Sequence, residues 1–224
     1  MNKKPNFWIY ANSSEQFKVS SSLILFGAET FKSAKVIKDI NQLKNIYILL
    51  NNNEVANSNS AIYDFIFEYL IDSIKIIIFF ENYMKAKLIL SDYCVHKIKK
   101  DIEEFKDLYK KQFKEPITLE EINSIEHFEI HESKNTIFHR AISDTTLGFN
   151  ELINSKNYLS CFEFDIEIID FLKELNLNRN RLHFNDSIHF QLTGTLIDSL
   201  ENLNRFVDKC LKDVKNHKFY YNLD

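Results

Sequence analysis

Residues 60–90 read SAIYDFIFEYLIDSIKIIIFFENYMKAKLIL, and the reading of this stretch decides the fold. Ile62, Phe65, Ile66, Tyr69 and Ser73 recur at the i, i+3, i+4, i+7 spacing of one helix face, and Ser60 is a residue type that caps a helix start. Further on, Ile76, Ile77, Ile78, Phe79 and Phe80 make the segment apolar on every side. A helix without a polar face is stable only where other elements cover it all round. The spacing predicts one long helix from Ser60 to about Leu90, at the centre of a helical bundle. The apolar run is bounded by Lys75 and Glu81, so it is too short to span a membrane.

Composition points the same way. Three glycines and two prolines in 224 residues leave few tight turns, which favours long elements and an all-α protein over a sandwich. At 45% hydrophobic and 27% charged the chain is globular. A net charge of −4 gives no general ground for nucleic-acid binding, which would need a local basic patch. Cys94, Cys161 and Cys210 are far apart and odd in number, and read as buried thiols of a reducing compartment. Lys3 and Lys4 run into Pro5 with no apolar segment behind them, so no signal peptide is expected and the protein reads as cytoplasmic.

Towards the N-terminus, Phe7 to Tyr10 is either a short strand or an apolar clip on the core. A helix is expected from near Ser21 and Ser22, with a break, towards Leu50. Within it Gly27 to Ser33 looks like part of a phosphate-binding loop, but Phe31 stands where the second glycine belongs, and a plain helix is the better reading. Residues 51–60 form a polar connector and the candidate internal boundary. The expected organisation is a single domain over 1–224, with 1–58 as a helical extension and 60–216 as the core bundle.

Towards the C-terminus, Asp92 to about Phe113 alternates Lys with Asp and Glu around Val95, Ile98, Ile102, Phe105 and Leu108, which reads as a helix with a solvated charged face. Glu115 and Pro116 break it, and Thr118 to Glu121 is a capping box opening a short helix. Residues 127–157 are the least regular and hold His127, His131 and His139. Helical, His127 and His131 could bind a metal with Glu132; extended, His127, Glu129 and His131 share a face; a surface or capping role is favoured over both. Glu163, Glu167, Asp170 and Glu174 form a polar stripe opposite Ile166, Ile168, Ile169, Phe171, Leu172 and Leu175, broken only by Asp165. This predicts a helix from about Tyr158 to Asn176. A last helix is expected from Ser187 to His217, with Leu192, Leu196, Leu200, Leu203, Phe206, Val207, Leu211 and Val214 on its apolar face. The helix dipole accounts for Lys209, Lys212, Lys215 and Lys218 near its end.

Chemistry concentrates in Leu175-Asn176-Leu177-Asn178-Arg179-Asn180-Arg181-Leu182-His183-Phe184. A guanidinium fork matches two phosphate oxygens, and an imidazole moves protons near neutral pH. Arg179 and His183 are four apart and share one face if the segment is helical. The plain alternative is a helix C-terminus with cations on its dipole and a satisfied histidine.

Long helices, a helix with an apolar face and then Arg-Asn-Arg-Leu-His resemble the HEPN superfamily, small helical-bundle proteins of prokaryotic defence and toxin–antitoxin systems. The resemblance covers about residues 60–216. It implies a metal-independent endoribonuclease whose site forms in a cleft between two subunits. Arg179 matches the motif arginine, Asn180 its polar neighbour and His183 the motif histidine, all three catalytic, with Arg181 as a further substrate contact. Three residues intervene between Arg179 and His183, fewer than the family's usual four to six. The implied partners are an RNA substrate, a second copy of the chain and an antitoxin or other defence protein, with no metal or cofactor. One motif histidine per chain leaves one of two proton-transfer roles empty, and a homodimer fills it. The alternative from another class is a non-catalytic HEPN-like helical module that dimerises and binds a partner protein or a nucleotide. A metal hydrolase on His127, His131 and His139 is a third reading.

The periodicity makes a direct expectation for circular dichroism: helix should dominate the spectrum. A spectrum dominated by strand would contradict it.

Overall fold

Helix α3 (Asn59–Leu90) is the long helix that the apolar stretch predicts. The computed structural model describes residues 9–10, 13–35, 39–51, 59–124, 128–131, 136–139, 142–182 and 194–216. Before α3 come β1 (Ile9–Tyr10), α1 (Ser13–Lys32) and α2 (Ile40–Asn51). After it come β2 (His96–Ile98), a 3₁₀ turn (Glu103–Phe105), α4 (Lys106–Gln112) and α5 (Leu119–Asn123). The strands β3 (Phe128–His131), β4 (Thr136–His139) and β5 (Ile142–Thr146) follow, then α6 (Phe149–Asn154), α7 (Lys156–Leu159), α8 (Ile166–Leu182) and α9 (Gly194–Asn216). The described chain is mostly helical. Its strands form two small antiparallel sheets, ordered β1-β4-β3 and β2-β5. Among the described residues no helix is long and apolar enough to cross a membrane.

The chain divides into two compact units. One comprises residues Met1–Ile24 and Glu81–Glu163, the other Leu25–Phe80 and Phe164–Asp224.

In the second unit the apolar middle of α3 is covered closely. Tyr69, Ile76, Ile77, Phe79 and Phe80 are buried. The Phe79 ring meets Phe31 of α1 at 5.8 Å, and Phe80 stacks on Phe206 of α9 at 5.5 Å, with Phe164 tilted against both. Gly27 to Lys32 is part of α1, as the plain-helix reading expects. Asp72 is fully buried on α3, and each carboxylate oxygen accepts a hydrogen bond. The Lys35 backbone N–H donates at 2.9 Å and Lys75 Nζ at 3.0 Å. Lys75 also donates to the Ser33 carbonyl at 2.9 Å, so the two side chains clasp the end of α1. Helix α8 packs on α9 and α9 on α2, where Lys44 pairs with Glu201 at 2.8 Å.

The apolar face expected for the motif-bearing helix is real: Ile168, Phe171, Leu172 and Leu175 are buried, while Glu167, Asp170 and Glu174 are exposed. Its limits differ from expectation. Helix α8 starts at Ile166 rather than near Tyr158 and runs on to Leu182 rather than Asn176. Asp165, which breaks the stripe, stands just before the first turn and its carbonyl accepts from the Ile169 N–H, so it belongs to the helix entry and not to a face. Ile166, placed on the apolar face by spacing, is 74% exposed. On α9, Leu200, Leu203 and Val207 are buried as expected, with Ile197 and Cys210 beside them. Residues 187–193 of the expected last helix lie outside the described residues.

In the first unit the helix expected over Asp92 to Phe113 is not formed; only Lys106–Gln112 is α-helical. Asp92 takes the left-handed conformation (φ 59°), which ends α3, and its side chain accepts from Gln16 Nε2 at 2.6 Å. The chain then runs extended. The Cys94 N–H donates to the Ile117 carbonyl, the Leu147 N–H donates to the Val95 carbonyl, and β2 pairs with β5. The apolar residues that suggested a helix face, among them Ile98 and Phe105, instead form a cluster with Cys94, Ile117, Ile122 and Ile142. Cys94 and Cys210 are buried thiols, whereas Cys161 is partly exposed. Burial pushes the Cys94 thiol up to about 12.

Helix α1 begins at Ser13, not at Ser21 and Ser22. Those serines donate back to the carbonyls of Phe17 and Lys18 four residues earlier, an interior helix habit rather than a cap. The Thr118–Glu121 capping box is present, each residue's side chain accepting from the other's backbone N–H, and it opens α5.

Asp72→Ala should cost about 2–3 kcal/mol, because it strands the Lys35 N–H and leaves Lys75 without its carboxylate. Asp72→Asn keeps one acceptor for the N–H and should cost about half as much. Denaturant midpoints measure both; equal losses would show that the charge, not the backbone bond, matters.

Candidate functional site

The sequence motif stands at the end of α8. Arg179, Asn180 and Arg181 are in its last turn, and His183 lies outside the described residues. The helical backbone separates the two arginines. Residues two apart on a helix are turned by about 200°, so Arg179 and Arg181 start from opposite sides of α8. Position 179 follows Leu175 and Asn176 by four and three residues, on the row of the buried Leu172, Leu175 and Asn176. Position 181 follows Glu174 and Leu177, both exposed, by seven and four.

A helix C-terminus presents carbonyl oxygens and the negative end of the dipole. Any phosphate bound there is held by side chains and not by backbone N–H groups.

Two histidines of the metal reading lie on paired strands. His127 lies outside the described residues. His131 is in β3 and His139 in β4, and the register pairs His131 with Thr136 and His139 with Phe128. His139 is thus three residues along β4 from the partner of His131, about 10 Å along the strand. Among the described residues no group of three or more His, Cys, Asp or Glu is placed to hold a metal ion.

The first unit contains a concavity that the sequence reading missed, a cavity of about 400 Å³. Ile98 of β2 and Leu147 form apolar wall, both buried. Tyr109 of α4 and Phe113, which caps its C-terminal end, stand four residues apart, and Tyr158 of α7 lines the cavity with them. The Tyr109 and Phe113 rings meet edge to face at 4.8 Å, and Phe113 is 56% exposed.

The polar groups of the floor are occupied. Gln112 Oε1 accepts from the Ile98 N–H at 2.9 Å, and Gln112 Nε2 donates to the His96 carbonyl at 2.7 Å. The Tyr158 hydroxyl donates to the Gln112 carbonyl at 2.8 Å. Burial first, then the negative groups around it including Glu151, hold that hydroxyl well above the usual tyrosine range, so it stays a donor.

The charged groups sit together. Lys97 pairs with Glu151 at 2.7 Å, and the other Glu151 oxygen accepts from the Gly148 N–H, closing the start of α6. One turn on, Asn154 Nδ2 donates to both the backbone carbonyl and the side-chain oxygen of Asn150. The lining residues run from position 97 to 158. The i, i+4 pairs Tyr109/Phe113 and Asn150/Asn154 are the only local signal, and nothing in the spacing joins one pair to the other.

Comparison of the chain with protein-family models, with curated proteins and with solved structures finds no match.

Proposed function

We propose that the chain is a cytoplasmic, metal-independent endoribonuclease with a HEPN-like helical bundle, cutting RNA with Arg179, Asn180 and His183 in a cleft formed by two copies. The observation that carries this reading is the extent of α8. It continues to Leu182, so the motif arginine stands in the last turn of a helix and not in a loop. His183 follows Arg179 by four positions in the sequence, the spacing at which two residues share a face where a chain is helical.

The chemistry needs a base for the 2′-hydroxyl, an acid for the leaving 5′-oxygen and positive charge on the phosphorane. His183 supplies proton transfer near neutral pH. The Arg179 fork supplies charge that matches two phosphoryl oxygens. Arg181, on the opposite side of the helix, contacts a neighbouring phosphate of the strand. A second copy contributes the second histidine, and an antitoxin or other defence partner holds the activity in check. The helix dipole alone accounts for cations at this place, and only an activity measurement separates the two accounts.

A mixed RNA substrate in EDTA is the direct assay. His183→Ala should lower the rate about a hundred- to ten-thousand-fold, and Arg179→Ala by about 3 kcal/mol of transition-state stabilisation. Arg181→Ala should raise KM more than it lowers kcat, and His131→Ala should change nothing. A folded wild type that cuts no RNA leaves the binding-module reading; loss of activity in EDTA moves the chemistry to a metal.

Sedimentation at micromolar concentration should show a dimer. A monomer over the whole concentration range removes the two-copy cleft.

A further inference from the structure

We infer that the cavity lined by β2, α4, α6 and α7 is a binding site for an uncharged nucleobase, free or as its nucleoside. This is independent of the ribonuclease reading, since none of the motif residues lines the cavity.

Size comes first. At about 400 Å³ the space is at the small end of pockets that take organic ligands, enough for one or two fused rings with a sugar reaching the mouth. The floor then selects for an apolar, planar body. Gln112 and Tyr158 spend their polar atoms on the protein itself, which leaves Ile98, Leu147 and the aromatic rings as the contact surface. Phe113 keeps more than half of its surface in water beside this opening. A flat ring entering the cavity covers that face and stacks on it, with Tyr109 bracing Phe113 edge-on.

The rim sets charge and edge chemistry. Lys97 and Glu151 sum to zero and already neutralise each other. An anionic ligand meets the Glu151 carboxylate beside Lys97 and a cationic one meets Lys97 beside Glu151, so the neutral pair favours neither charge, whereas a neutral ligand meets no like charge. Lys97 has protons beyond the one on Glu151, and Asn154, which lines the cavity and spends its amide nitrogen on Asn150, keeps its side-chain oxygen as an acceptor. A donor on β2 and an acceptor on α6, both at the lining, match the donor and acceptor edge of a nucleobase. A plain aromatic hydrocarbon would leave them unpaired.

The test uses the full chain, with saturation-transfer NMR and calorimetry on adenosine, guanosine, cytidine and uridine, each beside its 5′-monophosphate. At least one nucleoside should bind with Kd below about 1 mM, and its monophosphate should bind roughly tenfold more weakly. Phe113→Ala, at an exposed position that should not disturb folding, should weaken binding roughly tenfold. Leu147→Trp, which fills the cavity, should abolish it, with circular dichroism as the folding control. Four nucleosides that fail to saturate at that level overturn the proposal, as does a monophosphate that binds as tightly as its nucleoside. Binding untouched in Phe113→Ala overturns the location, whatever Leu147→Trp does.

Discussion

Between Tyr69 and Leu90, only Ile74, Lys87 and Leu90 of α3 are exposed. The constraint that follows is geometric: a helix without a solvent face needs cover on all sides, and polar groups on it must find partners inside the protein. Each does. Asp72 takes the Lys35 N–H and Lys75, and Ser73 donates to the Tyr69 carbonyl. Lys85 donates to Glu81 and Thr146, while the second Glu81 oxygen accepts from the Phe149 N–H at the start of α6. The same contacts that satisfy α3 thereby fix where the chain ends α1 and where it begins α6.

The two places with chemical potential differ in kind. The end of α8 offers cations at the negative end of a helix dipole, where a phosphate gains nothing from backbone N–H groups and everything from side chains. The cavity of the other unit offers the reverse: shape, aromatic surface and a neutralised charge pair. An RNA-cutting site fits the first and a ring-binding site fits the second.

Local signals were readable in the sequence where local physics decides the outcome. The extent of α3, the apolar face of α8, the capping box at Thr118 and the helical fate of Gly27 to Lys32 all depend on spacing within a few turns. What failed depends on distant partners. Val95, Ile98, Ile102, Phe105 and Leu108 fit a helix face, but Asp92 accepts a hydrogen bond from Gln16, 76 positions away, and β2 pairs with β5. Ser21 and Ser22 resemble a cap, yet a serine hydroxyl is equally satisfied by the carbonyl four residues back. The cavity was illegible for the same reason. Its walls come from β2, α4, α6 and α7, and only the fold brings Lys97 to Glu151. The sequence reading ended the motif-bearing helix at about Asn176, and that Arg179 and Arg181 lie within α8 follows only from the structure.

Gln112 has a consequence for how the protein behaves in a crowded solution. Strand β2 pairs with β5 on one side, which leaves it the prospect of a raw second edge. The Gln112 amide receives the Ile98 N–H and donates to the His96 carbonyl, standing in for one residue of a missing neighbouring strand. A strand from another molecule finds those two groups taken. Gln112 belongs to α4, which packs on β2, so the edge is closed by a covering helix whose side chain also takes the strand's hydrogen bonds, a guard against the stray pairing that leads to aggregation.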